Sequence, residues 1–211
     1  MKAPSLFTVS LLLSFAGMSS CATSVSREAF VEALKVGHVD MVREAVQAEP
    51  ALLQECYRAG ITEKTPLELA LYYRNADSVS ALLQLGAVCS EEDICAALWS
   101  AQAPAEATEQ QILACLDALM QHSPALLKNE KFYSHAMEMA IHHGSALSLE
   151  YFLSRGISAE TVTENGWTLL DYAIAESFTA GAELLRKYGA VSHPHADGPQ
   201  YPDFDALMKE L

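Results

Sequence analysis

An all-α solenoid of helix-turn-helix pairs is the fold class that this 211-residue sequence predicts, on three observations. Three segments, 70–86, 140–156 and 173–189, align with one another without gaps, each running 17 residues from an alanine to a glycine. Self-similarity with a period of roughly 20–50 residues marks a stack of small units that bury their faces against one another. Local signals bracket these segments: Thr65-Pro66 and Thr168 offer a side-chain cap, with Pro66 fixing φ at a first helical turn, and Gly86, Gly156 and Gly189 can close a helix in the left-handed region. Composition agrees, since 51% hydrophobic, 19% charged and 8% aromatic residues suit one sizeable folded core.

In chain order, residues 1–20 read as an export signal. Lys2 precedes the apolar run LFTVSLLLSFA (6–16), and small residues follow it. The run is shorter than the ~20 residues a spanning helix needs. Met18-Ser19-Ser20-Cys21 resembles a bacterial lipobox, which implies cleavage before Cys21, lipidation of Cys21, and, with Ala22 next, sorting to the outer membrane. Cleavage after Ala22, releasing a soluble periplasmic chain, is the alternative. Residues 21–25 then form a tether. Lipidation would leave Cys56, Cys89, Cys95 and Cys115, which either pair in one of three ways or pack as small core hydrophobes.

The first pair is read at Phe30-Val31-Glu32-Ala33-Leu34-Lys35-Val36-Gly37-His38, with Gly37-His38 at its turn and Pro50 after its second helix. The second carries Thr65-Pro66-Leu67-Glu68-Leu69-Ala70, continuing to Gly86-Ala87. Residues 91–100 and 108–121 make an irregular third pair, split by Ala101-Gln102-Ala103-Pro104-Ala105. Ala136-Met137-Glu138-Met139-Ala140 opens the fourth, and Thr168-Leu169-Leu170-Asp171-Tyr172-Ala173 the fifth. Equivalent alanines (Ala33, Ala70, Ala97, Ala140, Ala173) are separated by 37, 27, 43 and 33 residues, so the third unit departs most from a regular step. Residues 191–211 are a turn-rich stretch followed by a short helix, 203–211, that caps the last unit.

These strings resemble the ankyrin repeat, with its TPLHLA opening, mid-repeat turn glycine and Leu-Leu pair before Gly-Ala. The resemblance covers residues 26–190 in about five repeats, and it departs from the pattern at Leu169, at His135-Ala136, and at Arg74 and Ser177, which occupy turn-glycine positions. It implies a concave groove lined by Lys35-Val36, Tyr72-Tyr73, Trp99-Ser100, His142-His143 and Ala175-Glu176, with Lys64 and Trp167 beside it. Tyr72, Tyr73, Trp99, His142, His143, Lys64, Trp167 and Glu176 are the expected partner-binding residues, because aromatic rings in a concave patch bury much apolar area at small entropic cost.

Catalytic motifs do not occur: there is no GxSxG elbow, HExxH, Walker loop or GxGxxG. His142 and His143 are adjacent rather than four residues apart, and His193 and His195 flank Pro194, so neither pair is placed as a metal chelate. A non-enzymatic protein without cofactor or metal is therefore expected. Losing residues 1–20 removes only Lys2 from 13 basic side chains, against 27 acidic ones, which disfavours nucleic acid and anionic head groups and favours a basic protein partner. The expected function is capture of one protein partner in the envelope by a chain that is monomeric when free and meets the membrane only through the Cys21 lipid. By analogy with small exported ankyrin proteins, the specific reading is an immunity protein neutralising a secreted, type VI-like toxin such as a phospholipase effector. A helper of a periplasmic enzyme such as catalase, or a metal-binding envelope protein, are the alternatives.

Overall fold

The computed structural model describes residues 26–59, 62–100, 108–163 and 165–192. The signal, Cys21 and the tether, the loop 101–107, His193, His195 and the expected capping helix lie outside the described residues. Among the described residues the chain is mostly helical, as expected, with ten α-helices. They follow one another as α1 (Arg27–Val36) and α2 (Val39–Ala48), α3 (Pro66–Tyr72) and α4 (Ala76–Gln84), α5 (Glu91–Leu98) and α6 (Glu109–His122), α7 (Glu130–His142) and α8 (Ala146–Ser154), and α9 (Leu169–Ala175) and α10 (Thr179–Lys187). The odd-numbered helices pack in sequence, α1 on α3, α3 on α5, α5 on α7 and α7 on α9, and the even-numbered helices do the same from α2 to α10. Two rows of helices result. Helices α5 and α6 pack on their neighbours in the rows more than on each other, which is where the repeat spacing was irregular.

Caps explain where most of the helices begin. Ser26, Asn75, Ser90, Asn129, Ser145 and Thr168 each accept a backbone N–H of the first turn, and Thr65 with Glu68 and Thr108 with Gln111 form reciprocal capping boxes. The turns within pairs share one geometry. His38, Asn75, Ser145 and Phe178 donate their backbone N–H to the carbonyls of Ala33, Ala70, Ala140 and Ala173 at 2.8–2.9 Å. Each bond closes over a left-handed residue: Gly37 (φ 81°), Arg74 (φ 55°), Gly144 (φ 66°) and Ser177 (φ 58°). The alanines thus serve two purposes, accepting the turn's bond and allowing neighbouring helices to approach, and all are buried, Ala97 included.

The core is continuous through all five pairs. Side chains also stitch neighbours: Ser78 Oγ donates to the Leu34 carbonyl at 2.8 Å, Asn129 Nδ2 to Glu91 at 2.6 Å, and Ser134 Oγ to the Val162 carbonyl at 2.6 Å. At the amino-terminal end, Arg27 on α1 reaches Glu49 and Glu55, both beyond α2, at 2.7 and 2.8 Å.

Three features were not expected from sequence. Short 3-10 turns at Pro50–Gln54 and Pro124–Lys128 follow α2 and α6, each opening Pro-Ala-Leu-Leu, and they lengthen the steps after the first and third units. A two-stranded antiparallel hairpin, β1 (Tyr57–Ala59) with β2 (Thr62–Lys64), pairs Tyr57 with Lys64 and precedes α3. A single antiparallel bridge, Val162 to Thr168, stands in the corresponding place before α9. Of the two readings left open for the cysteines, the four among the described residues, Cys56, Cys89, Cys95 and Cys115, are free thiols, with Cys95 and Cys115 buried in the core.

Candidate partner-binding face

The residues that end the odd-numbered helices come together along one edge of their row. Tyr72 and Tyr73 meet edge to face at 5.1 Å. The Lys64 ammonium, at the end of β2, lies 5.7 Å from the Tyr72 ring, and the Lys35 ammonium of the preceding unit 6.0 Å from the Tyr73 ring, both within cation–π range. Two units further on, His142 and His143 stand edge to face at 5.2 Å. The next unit supplies Glu176, whose carboxylate is 3.6 Å from His142 Nδ1. Lys35, Val36, His142 and His143 are exposed, and Tyr73 and Glu176 half-buried. Trp167, also half-buried, is held at the end of a turn in which its N–H donates to Thr163 Oγ1 and its carbonyl accepts from the Thr163 N–H.

Two expected members of this face are corrected. Trp99 is only 2% exposed: it terminates α5 with its ring folded into the core beside Leu98, and its Nε1 has no acceptor among the described residues. Tyr72 is 7% exposed, leaving Tyr73 as the half-exposed ring of the pair. The middle of the expected stripe is therefore core, because a ring this large at a helix end gains more from apolar contact than from hydration. The exposed part is a polar edge of mixed charge, with Lys35, His142 and His143 at the surface and Tyr73, Trp167 and Glu176 half-buried.

Arg74 is the residue that sequence reading undervalued, having been noted only as an arginine in a glycine's place. Its left-handed backbone is a conformation that costs a side-chain-bearing residue about 1–2 kcal/mol. The guanidinium is partly buried, which holds it below the usual arginine range, and its charge reaches both Cys115 and His143. Although its side chain reaches the surface, His143 is held below the ordinary histidine range by partial burial first, then by the charges of His142 and Arg74. It is thus biased toward the neutral imidazole, able to donate from one nitrogen and accept at the other.

One group of donors converges elsewhere. Single ligand atoms of Glu68, Cys89 and Asp93 lie within 4.8 Å of one another. The Glu68 carboxylate already accepts from Thr65 Oγ1 at 2.9 Å and Asp93 from Ser90 Oγ at 2.6 Å, so each is engaged with the residue that caps its helix. Burial, with the Glu68 and Asp93 charges, pushes the Cys89 thiol up to about 12, which keeps it protonated. The buried thiols Cys95 and Cys115 are likewise pushed up to about 12, so none of the three is an activated nucleophile.

No helix among the described residues is long and apolar enough to cross a membrane. No protein-family model and no curated protein sequence matches the chain.

Proposed function

We propose that the chain is an ankyrin-repeat protein of the bacterial envelope that performs no reaction of its own and holds one protein partner against the edge formed by Lys35, Tyr73, Arg74, His142, His143 and Glu176. The observation that carries this reading is positional. At equivalent places directly after the buried alanine and its following residue, units one, two, four and five present Lys35-Val36, Tyr72-Tyr73, His142-His143 and Ala175-Glu176, of which Lys35, Val36, His142, His143 and Ala175 are exposed and Tyr73 and Glu176 half-buried, whereas Trp99 at the same place in the third unit is buried. Stacked repeats recruit such a row for recognition because it is rigid and spans several units. The turn geometry shared by Ala33, Ala70, Ala140 and Ala173, and the two rows of helices, support the ankyrin assignment. Export and lipidation at Cys21, with anchoring to the outer membrane, complete the proposal, and among envelope roles it selects immunity to an injected toxin such as a phospholipase.

The test is co-purification from intact cells of full-length protein and of a Tyr73→Ala/His142→Ala double variant. A single stoichiometric partner retained by the wild type and lost by the variant, with the melting temperature of the variant held, supports the reading. Equal capture by both, or no partner while the protein carries stoichiometric metal, overturns it.

A further inference from the structure

The end of the stack after α10 carries an apolar face that every earlier unit has covered. The residue following the equivalent alanine is Leu34, Leu71, Leu98, Ile141 and Ile174 in the five units, and its exposure is 0%, 0%, 0%, 1% and 47%. The chemistry is the same at all five places; among the described residues, only the last has no unit packed after it. Tyr188 and Val191 are exposed at the same end, and Leu184 is half-buried where its counterparts Ala81 and Tyr151 are buried. An exposed isoleucine flanked by further apolar residues is a surface in search of cover.

We propose that the occupant of this face is the chain's own segment 201–211, laid against α9 as the first helix of a sixth unit. Its sequence repeats the opening signature: Tyr201-Pro202 stands where Thr65-Pro66 does, and Ala206-Leu207 where Ala70-Leu71 does. Ala206 follows Ala173 by 33 residues, the same step as from Ala140 to Ala173. Asp203 occupies the place at which Leu67 and Leu170 are buried, so the apolar face of the segment is carried instead by Phe204, Leu207, Met208 and Leu211, spaced i, i+3, i+4 and i+7. The chain also leaves α10 in the right place. The Val191 N–H donates to Glu160 at 2.7 Å and Ser192 Oγ to Asp171, in the first turn of α9, so the chain is returned to the end at which the odd-numbered helices start. The 19 residues from 193 to 211 are ample for a short connection and a helix.

An Ile174→Cys variant of the full-length protein tests this, with alkylation by iodoacetamide read peptide by peptide so that Cys56 and the other native thiols are scored separately. The expected result is labelling at position 174 at least about tenfold slower than in the same protein carrying Leu207→Asp and Leu211→Asp, at every protein concentration. Equal rates in the two proteins overturn the proposal. Protection that grows with protein concentration also overturns it, since the cover is then a second copy of the chain.

Discussion

Individual side chains in the turns and at helix ends decide more here than their exposure suggests. Ser177 is exposed and held at φ 58°, in the place where Gly37 and Gly144 stand in other units. Ser177→Gly removes the steric cost of a left-handed serine, and we expect a gain of about 1 kcal/mol, seen as a rise of roughly 2–4 °C in melting temperature by calorimetry. Trp99 and Tyr73 make a matched contrast. Trp99→Ala empties a core site and should cost about 3–5 kcal/mol in urea unfolding, whereas Tyr73→Ala should cost about 1 kcal/mol or less and appear instead in partner capture. His143 gives a pH signature. Because its folded-state pKa lies below the unfolded value, the unfolded chain binds the extra proton, so this contribution is complete above about pH 6.5 and is lost as the pH falls through and below that value. The urea midpoint should therefore fall between pH 7.5 and 5.5, with a smaller fall in His143→Gln.

Helices and their boundaries were the most legible part of the sequence. Thr65-Pro66, Thr168, Gly86 and Gly189 announce ends by local chemistry that tertiary packing does not override, and those ends stand where they were read. Thr65→Ala should remove about 1 kcal/mol by breaking the capping box, measurable as a lower melting temperature. What escaped notice was short or non-periodic. Tyr57–Ala59 and Thr62–Lys64 have three residues each, too few for alternation to register, and their pairing depends on where α3 places them. The two Pro-Ala-Leu-Leu turns were visible as a repeated string at 50–53 and 124–127, and would have accounted for part of the long steps that made the third unit look broken. The candidate face was legible by position but not by depth. Superposing repeats named Tyr73, His142, His143 and Glu176, which are exposed or half-buried, yet the same operation put Trp99 beside them, because repeat position fixes a residue's direction and not whether its ring folds back into the core.

Across the whole molecule, stability is transmitted from neighbour to neighbour along two rows, so each end is a place where unfolding can start. The two ends are secured by different physics. After α10, where Ile174, Tyr188 and Val191 are exposed among the described residues, the closure proposed above is apolar. At the amino-terminal end the closure is ionic: Arg27 bridges Glu49 and Glu55, and all three are solvent-accessible, the guanidinium holding Glu55 below the usual carboxylate range. Dissolved sodium chloride screens the second kind of closure and does not screen the first, which holds no charge pair. Ionic strength therefore acts as a selector of where the protein frays. In hydrogen exchange, raising sodium chloride from about 0.05 to 1 M should speed the amides of α1 and α2 while leaving those of α9 and α10 unchanged, and Arg27→Gln should produce the same amino-terminal opening without added salt.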